Sequence, residues 1–179
     1  MKLTKTLTIL AASVVLSATP ALAEKRVTIS NWTSPNHATS RGHAAFIEMT
    51  EAEFPDAFNF KQFTGGALLG AKPTLSGLRD GVADVALLAL TYFRSEMPYA
   101  QLVADLALLG KDHYAMLGAT SEFVMLSCQP CKDEFAKNGM VALSGISTAP
   151  YVLLTTKPIV NIEDMQGVKL RTGGSVWDR

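Results

Sequence analysis

Apolar and polar positions divide the chain into alternating short strands and amphipathic helices. Val27-Thr28-Ile29-Ser30-Asn31-Trp32 has period two, the mark of a strand with one buried face, and Thr33-Ser34-Pro35-Asn36 follows as a turn able to cap a helix. Ala45, Met49 and Ala52 recur at i, i+4 and i+7, predicting a helix with that apolar stripe, closed by Pro55-Asp56. Phe58-Asn59-Phe60-Lys61-Gln62-Phe63 predicts a second strand, phenylalanines on one face and polar residues on the other, ended by Thr64-Gly65-Gly66. Leu75, Leu78 and Val82 predict a second helix stopping at Gly81. Residues 84–89 then form a short, nearly continuous apolar run, as in a strand covered on both faces. Strand, helix, strand, helix, strand is the order of an α/β fold with a parallel sheet.

Further on, Leu102, Leu106 and Leu109 predict a short helix before Gly110. Residues 112–137 read as a long helical stretch with Leu117, Val124, Cys128, Cys131 and Phe135 along one side. Pro130 cannot sit inside a helix but fits a first turn, so the stretch is expected to break near Ser127, restart at Pro130 and stop at Asn138-Gly139. Residues 140–146 and 151–155 read as two more strands, and Asn161 can cap a single turn over residues 162–166. In Val168-Lys169-Leu170-Arg171 the period of two returns, with Thr172-Gly173-Gly174 as the stop, so Arg171 is expected at the C-terminal end of a strand.

Charge and export narrow what the chain can do. Lys2 and Lys5, an apolar run over residues 7–16 and Ala21-Leu22-Ala23 have the layout of a secretory signal cut after Ala23. The run falls short of the ~20 residues a spanning helix needs, so no stable membrane insertion is expected once the signal is removed. The whole chain carries 16 basic and 16 acidic residues, formal net charge zero. Loss of the two signal lysines leaves residues 24–179 slightly acidic, which gives no electrostatic basis for a nucleic-acid partner.

Candidate chemistry is sparse. Gly65 and Gly70 have phosphate-loop separation, but Lys72 is displaced by one position and no Ser or Thr follows it, so nucleotide binding is rejected. His37, His43 and His113 have no metal-ligand spacing, and no serine lies in a nucleophile-elbow context, so no metal, cofactor or catalytic residue is expected. A binder is the better reading than an enzyme. Cys128-Gln129-Pro130-Cys131 reads as a structural disulfide in an oxidising compartment. A redox pair activated by a helix N-terminus and two free core thiols are the alternatives.

Arg171 carries the sharpest functional reading. A guanidinium is a rigid, permanently charged fork that matches both oxygens of a carboxylate, and the glycines after it, Gly173 first among the candidates, let a ligand approach the backbone. An ordinary surface arginine beside a turn is the competing reading. Trp32, Tyr92, Tyr151 and Trp177 lie near expected strand ends, where ligands of open α/β sheets collect, although core packing explains any one of them equally well.

Four stretches resemble the extracytoplasmic substrate-binding proteins of tripartite ATP-independent periplasmic (TRAP) transporters, the family named after its dicarboxylate-binding member. They are the signal with residues 27–32; Thr64-Gly65-Gly66 through Leu69-Gly70 to Leu78-Arg79-Asp80-Gly81-Val82-Ala83-Asp84; Thr156-Lys157-Pro158-Ile159; and Ile162-Glu163-Asp164-Met165-Gln166-Gly167-Val168-Lys169-Leu170-Arg171. The resemblance implies a two-lobed α/β receptor of the type II periplasmic-binding-protein kind. It implies that a small organic acid is held by Arg171, that the loop at Trp32, the turn at Thr91 and Tyr92 and the segment from Thr148 to Tyr151 line the pocket, and that the ligand passes to a TRAP membrane permease. Residues 24–155 would be the first lobe, and residues 156–179 the crossover and start of an incomplete second lobe. The chain is therefore expected to be a fragment or a shortened relative. A periplasmic thiol oxidoreductase using Cys128 and Cys131, and a ligand-binding domain for a membrane sensor, are the rival functions.

Overall fold

A computed structural model describes residues 24–105, 110–148 and 151–173. The expected signal, Leu106, Leu109 and Trp177 lie outside these residues. Strand β1 (Lys25–Ser30) leads through helix α1 (Ala38–Glu53) to strand β2 (Phe58–Phe63), and helix α2 (Thr74–Arg79) leads to strand β3 (Val85–Ala86). β1 is central, parallel to β2 on one side and to β3 on the other. The α/β fold with a parallel sheet is therefore what the chain adopts. Ile29, on the central strand, is fully buried, an environment that contributes about 1.5–3 kcal/mol for such a side chain.

Two faces differ from the sequence reading. Ala45, Met49 and Ala52 of α1 point to solvent, Met49 with 66% of its surface exposed, whereas the sheet side of the helix carries Ser40, His43, Ile47 and Thr50. The helix is where the pattern predicts it but turned, because its inner positions must meet a polar cluster at the end of β1. On β2, Phe58 and Phe60 share a face and Phe60 meets Phe46 of α1 edge-on at 6.0 Å. Phe63 has the opposite parity and sits under the Lys61 ammonium, 5.0 Å from the ring centre. The expected third strand also shrinks from residues 84–89 to Val85–Ala86. The Asp84 and Leu87 amides still bond to β1, to Thr28 O (2.9 Å) and Ser30 O (3.1 Å), before the chain bends into a 3₁₀ turn at Leu90–Tyr92.

The main core lies beyond the sheet. Leu75, Phe93, Met97, Ala100, Val124, Cys128, Cys131 and Phe135 pack together, drawn from α2, the loop after β3 and the later helices. Those helices are α3 (Leu102–Asp105), α4 (His113–Glu122), a π-helical turn (Phe123–Ser127) and α5 (Gln129–Lys137). The break and restart at Pro130 follow the expectation. The Cys128 backbone ends the π turn, its sulfur accepts from Cys131 N (3.1 Å), and Pro130 occupies the first turn of α5. Gly139 takes a φ of +70° after α5, a conformation that costs glycine little. The Glu134 carboxylate accepts from Tyr99 N and Ala100 N, both at 2.9 Å, and so ties α5 to the loop before α3. Leu117 departs from the expected inner side and is 39% exposed.

The strands read over residues 140–146, 151–155 and 168–171 do not form. These segments are irregular, with Val141, Leu143, Val152, Leu154, Val168 and Leu170 exposed. A strand is stable only when neighbours take its backbone groups, and among the described residues no sheet partner lies alongside them. The single turn does form, as a 3₁₀ turn at Glu163–Met165. Asn161 Oδ1 accepts from Asp164 N (3.2 Å), and Asp164 in return accepts from Val160 N and Asn161 N, which holds its carboxyl below the usual range.

Candidate functional site

The strand order β2-β1-β3 fixes where a ligand can sit. From β1 the chain goes to one side, and from β2 it crosses to the other, so the loops after β1 and β3 diverge and leave a crevice at the carboxyl ends of the strands. Trp32 leaves β1 there and Thr91 and Tyr92 follow β3, so the sheet brings these three sequence candidates to one end.

The first loop is held by a buried polar network that the sequence reading missed. Asn31 is fully buried, and its Oδ1 accepts from Thr33 N (2.9 Å) and Thr33 Oγ1 (2.8 Å). A backbone N–H can only donate, which settles the amide orientation, so Nδ2 faces Thr39 Oγ1 (3.3 Å) and His43 Nδ1 (3.4 Å) and donates to them. Thr33 has committed its one hydroxyl proton to Asn31. Thr39 Oγ1 and Ser40 Oγ each lie 2.9 Å from that hydroxyl. Gln62 Nε2 donates to Ser40 O (2.9 Å), and Gly65 N to Thr33 O (2.7 Å), linking β2 and its exit to the same cluster. The start of α1 is capped by His37, whose Nδ1 accepts from Thr39 N (3.3 Å), and not by the preceding turn. A polar strand end followed by Thr39, Ser40 and His43, spaced to share one helix face, was the available sequence signal.

The network gives His43 a defined state. Nδ1 accepts from Asn31, so the ring proton is on Nε2. Burial pushes the imidazole below its ordinary value of 6.5. The folded chain thus binds that proton less readily than the unfolded chain, and stability rises with pH. The contribution of His43 is fully present above about pH 6.5 and is lost as pH falls through the depressed value. Urea midpoints measured from pH 7.5 down to 5 should fall more steeply for the wild type than for His43→Gln, whose side-chain oxygen can still accept. Parallel curves would remove His43 as the cause.

The second loop is fixed to the first by Trp32, whose indole Nε1 donates to Leu87 O (3.0 Å). The polar atom of this aromatic candidate is therefore engaged by the chain after β3. Tyr92 leans on the main core. Thr91 Oγ1 donates to Gly173 O (2.9 Å), bridging 82 positions of sequence. That bond brings the Arg171 segment to the β3 side of the crevice, since two trans peptides keep the Arg171 and Gly173 Cα atoms within roughly 7 Å. Arg171 is exposed and lies in irregular chain, not at the end of a strand as expected. Thr148 and Tyr151 are also exposed.

Cys128 and Cys131 are joined, S–S 2.03 Å with Cα atoms 5.3 Å apart, and Cys131 is fully buried. Thiol exchange needs access to a sulfur, so this bond is a staple at the start of α5 within the core. Among the described residues no group of His, Cys, Asp or Glu is arranged to hold a metal, and no helix is long and apolar enough to cross a membrane.

The sheet is open and parallel with its strand order switching at β1, and the Arg171 segment lies beside β3 through the bond from Thr91 to Gly173. Residues 29–178 match the bacterial extracellular solute-binding proteins, family 7, and the chain belongs to that family. A solute-binding protein of Albidiferax ferrireducens is 26% identical over 133 residues, which cover 74% of this chain and 38% of the relative. The crystal structure of a TRAP periplasmic solute-binding protein from Sulfitobacter sp. NAS-14.1 with bound β-D-galacturonate shares the fold, with a TM-score of 0.53 at 21% identity over 66% of this chain and 38% of that one. A sugar acid binding protein from Advenella mimigardefordensis strain DPN7T, in complex with galactonate, aligns with a TM-score of 0.47 at 16% identity, over 69% of this chain and 38% of that one. The chain spans well under half the length of these relatives.

Proposed function

We propose that this chain is the ligand-capturing part of an exported receptor that binds a small carboxylate-bearing solute and passes it to a TRAP-type membrane permease, without a catalytic step. The observation that carries this reading is the family match over residues 29–178, which takes in both crevice loops and Arg171. Arg171 is the anchor for the ligand carboxylate, with the Trp32 ring, Thr91, Tyr92, Thr148, Tyr151 and the Gly173 backbone as the remaining wall. Residues 24–155 form the first lobe, residues 156–179 begin the second, and residues 1–23 are the export signal. A uronic acid is the first ligand to try, because the Sulfitobacter relative holds β-D-galacturonate.

Calorimetric titration of the full chain with galacturonate, succinate and the neutral sugar galactose tests the reading. Heat of binding with at least one acid and none with galactose is the expected result, because the neutral sugar lacks the carboxylate that the guanidinium fork pairs with. Equal binding of acid and neutral sugar, or no binding of any carboxylate, would overturn it.

A further inference from the structure

We infer that the loop after β1 is built to respond to acid: protonating His43 sets two donors face to face at Asn31, loosens the loop that carries Trp32 and lowers the affinity of the crevice. The last step rests on the carboxylate-receptor reading above. Asn31 is fully buried, with Oδ1 accepting from Thr33 N (2.9 Å) and Nδ2 donating to His43 Nδ1 (3.4 Å). When the ring takes up a proton, Nδ1 becomes a donor and faces the donor Nδ2. Turning the amide over relieves that contact only by setting Nδ2 against the Thr33 N–H, which can only donate. Either way a buried donor loses its acceptor, so the network is complete only with a neutral ring. The strain falls on the crevice. Asn31 N donates to Phe63 O (2.8 Å), Asn31 O accepts from Gly66 N (3.2 Å), and Thr33 O accepts from Gly65 N (2.7 Å). Between Asn31 and Thr33 stands Trp32, whose indole bonds to Leu87 O, so a shift at Asn31 reaches the loops after all three strands.

The charges on the surrounding elements leave this response to His43. On α1 itself, Arg41 and Glu48 are exposed. On β2, Phe60 and Gln62 face the helix, whereas Lys61 has the opposite parity and lies over the Phe63 ring. On β1, Lys25 shares the parity of Asn31 but stands at the far end of the strand, roughly 20 Å away, and Arg26 points to the other face. Lys72, beyond the loop after β2, is exposed. His37 is the second titratable group joined to the network: its Nδ1 lies 2.9 Å from Thr39 Oγ1, which in turn lies 3.3 Å from Asn31 Nδ2. Its own position is exposed, and its contact with Asn31 is indirect.

The test compares the full chain as wild type, His43→Gln and His37→Gln between pH 7.5 and 5, at temperatures where each protein is folded throughout, with two readouts. The first is the indole N–H resonance of Trp32, with Trp177, the other tryptophan of the chain, as the reference. It should move along a one-proton curve in wild type and His37→Gln and stay flat in His43→Gln. In the wild type the His43 ring resonances should share its midpoint, a comparison that needs no variant to fold. The second is galacturonate affinity, which should fall about three- to tenfold over the range in wild type, one proton allowing at most tenfold per pH unit, and less than about twofold in His43→Gln. The guanidinium and the ligand carboxylate keep their charges throughout. An indole that stays flat in the wild type, titrates apart from the His43 ring, or titrates equally without His43 overturns the switch. A response abolished in His37→Gln and kept in His43→Gln overturns the assignment to His43. An indole that responds while the affinity holds overturns the link to the crevice. If no acid binds the wild type at pH 7.5, the receptor reading is what fails, and the two resonances alone still decide whether His43 governs the loop.

Discussion

Replacing Asn31 by alanine should lower the stability of the fold by about 2–4 kcal/mol, the sum expected for a buried donor left unpaired and a partly collapsed hole. The amide is fully buried and answers four groups: the Thr33 N–H, the Thr33 hydroxyl, Thr39 and His43. Alanine supplies none of these bonds, and the Thr33 N–H, in a buried residue, loses the acceptor it has in Asn31 Oδ1. Asn59 is the control. It lies exposed on the neighbouring strand, with its amide 3.2 Å from Glu24, and its removal should change stability by less than about 0.5 kcal/mol. Urea unfolding of the two variants gives the comparison. A loss below about 1 kcal/mol for Asn31→Ala would mean that water replaces the amide, and that the network is not what fixes the loop after β1.

The second large effect should be on binding and not on stability. Arg171→Lys should weaken the affinity for a carboxylate ligand by about ten- to a hundredfold, since charge-assisted hydrogen bonds contribute about 1.5–3 kcal/mol each and an ammonium cannot engage both oxygens in one plane. Arg171→Ala should lose more, because the charge goes as well. Neither change should move the thermal midpoint, for Arg171 is exposed and makes no described contact with the core. Unaltered acid affinity in Arg171→Lys would place the anchor elsewhere on the crevice. A fall in the midpoint that matched the fall in affinity would make the arginine a structural residue.

What the sequence made legible was local. Pro130 and Gly139 act through sterics that span a few residues, so the break, restart and stop of the late helices could be read directly. The period of two in residues 27–32 and 58–63 located two strands, the first of which forms two residues earlier at Lys25–Ser30, because those strands find each other across one helix. The same period in residues 140–146, 151–155 and 168–171 says only which side chains would alternate if a partner came, and pairing is a property of distant chain. α1 shows the other limit. Its apolar stripe at Ala45, Met49 and Ala52 was the stronger hydrophobic signal, yet the helix turned its polar side inward to reach Asn31, a demand set from outside the helix. For the site, position at a strand end singled out Trp32 as a candidate, and the family resemblance singled out Thr91. Neither revealed that their polar atoms bond to Leu87 and Gly173, because both partners are backbone carbonyls far away in sequence.

The exposed apolar segment after the core bears on how the protein behaves in concentrated solution. Residues 151–155, Tyr-Val-Leu-Leu-Thr, are rich in β-formers, carry no charge and contain no proline, and Leu154 is 88% exposed. An exposed stretch of that composition is a template for cross-β stacking between copies. Pro150 before it and Lys157-Pro158 after it are the residue types that interrupt such growth, one by lacking an amide proton and the other by adding charge and then a second ring. Those flanking residues act on self-association, a property separate from both the melting point and the ligand affinity.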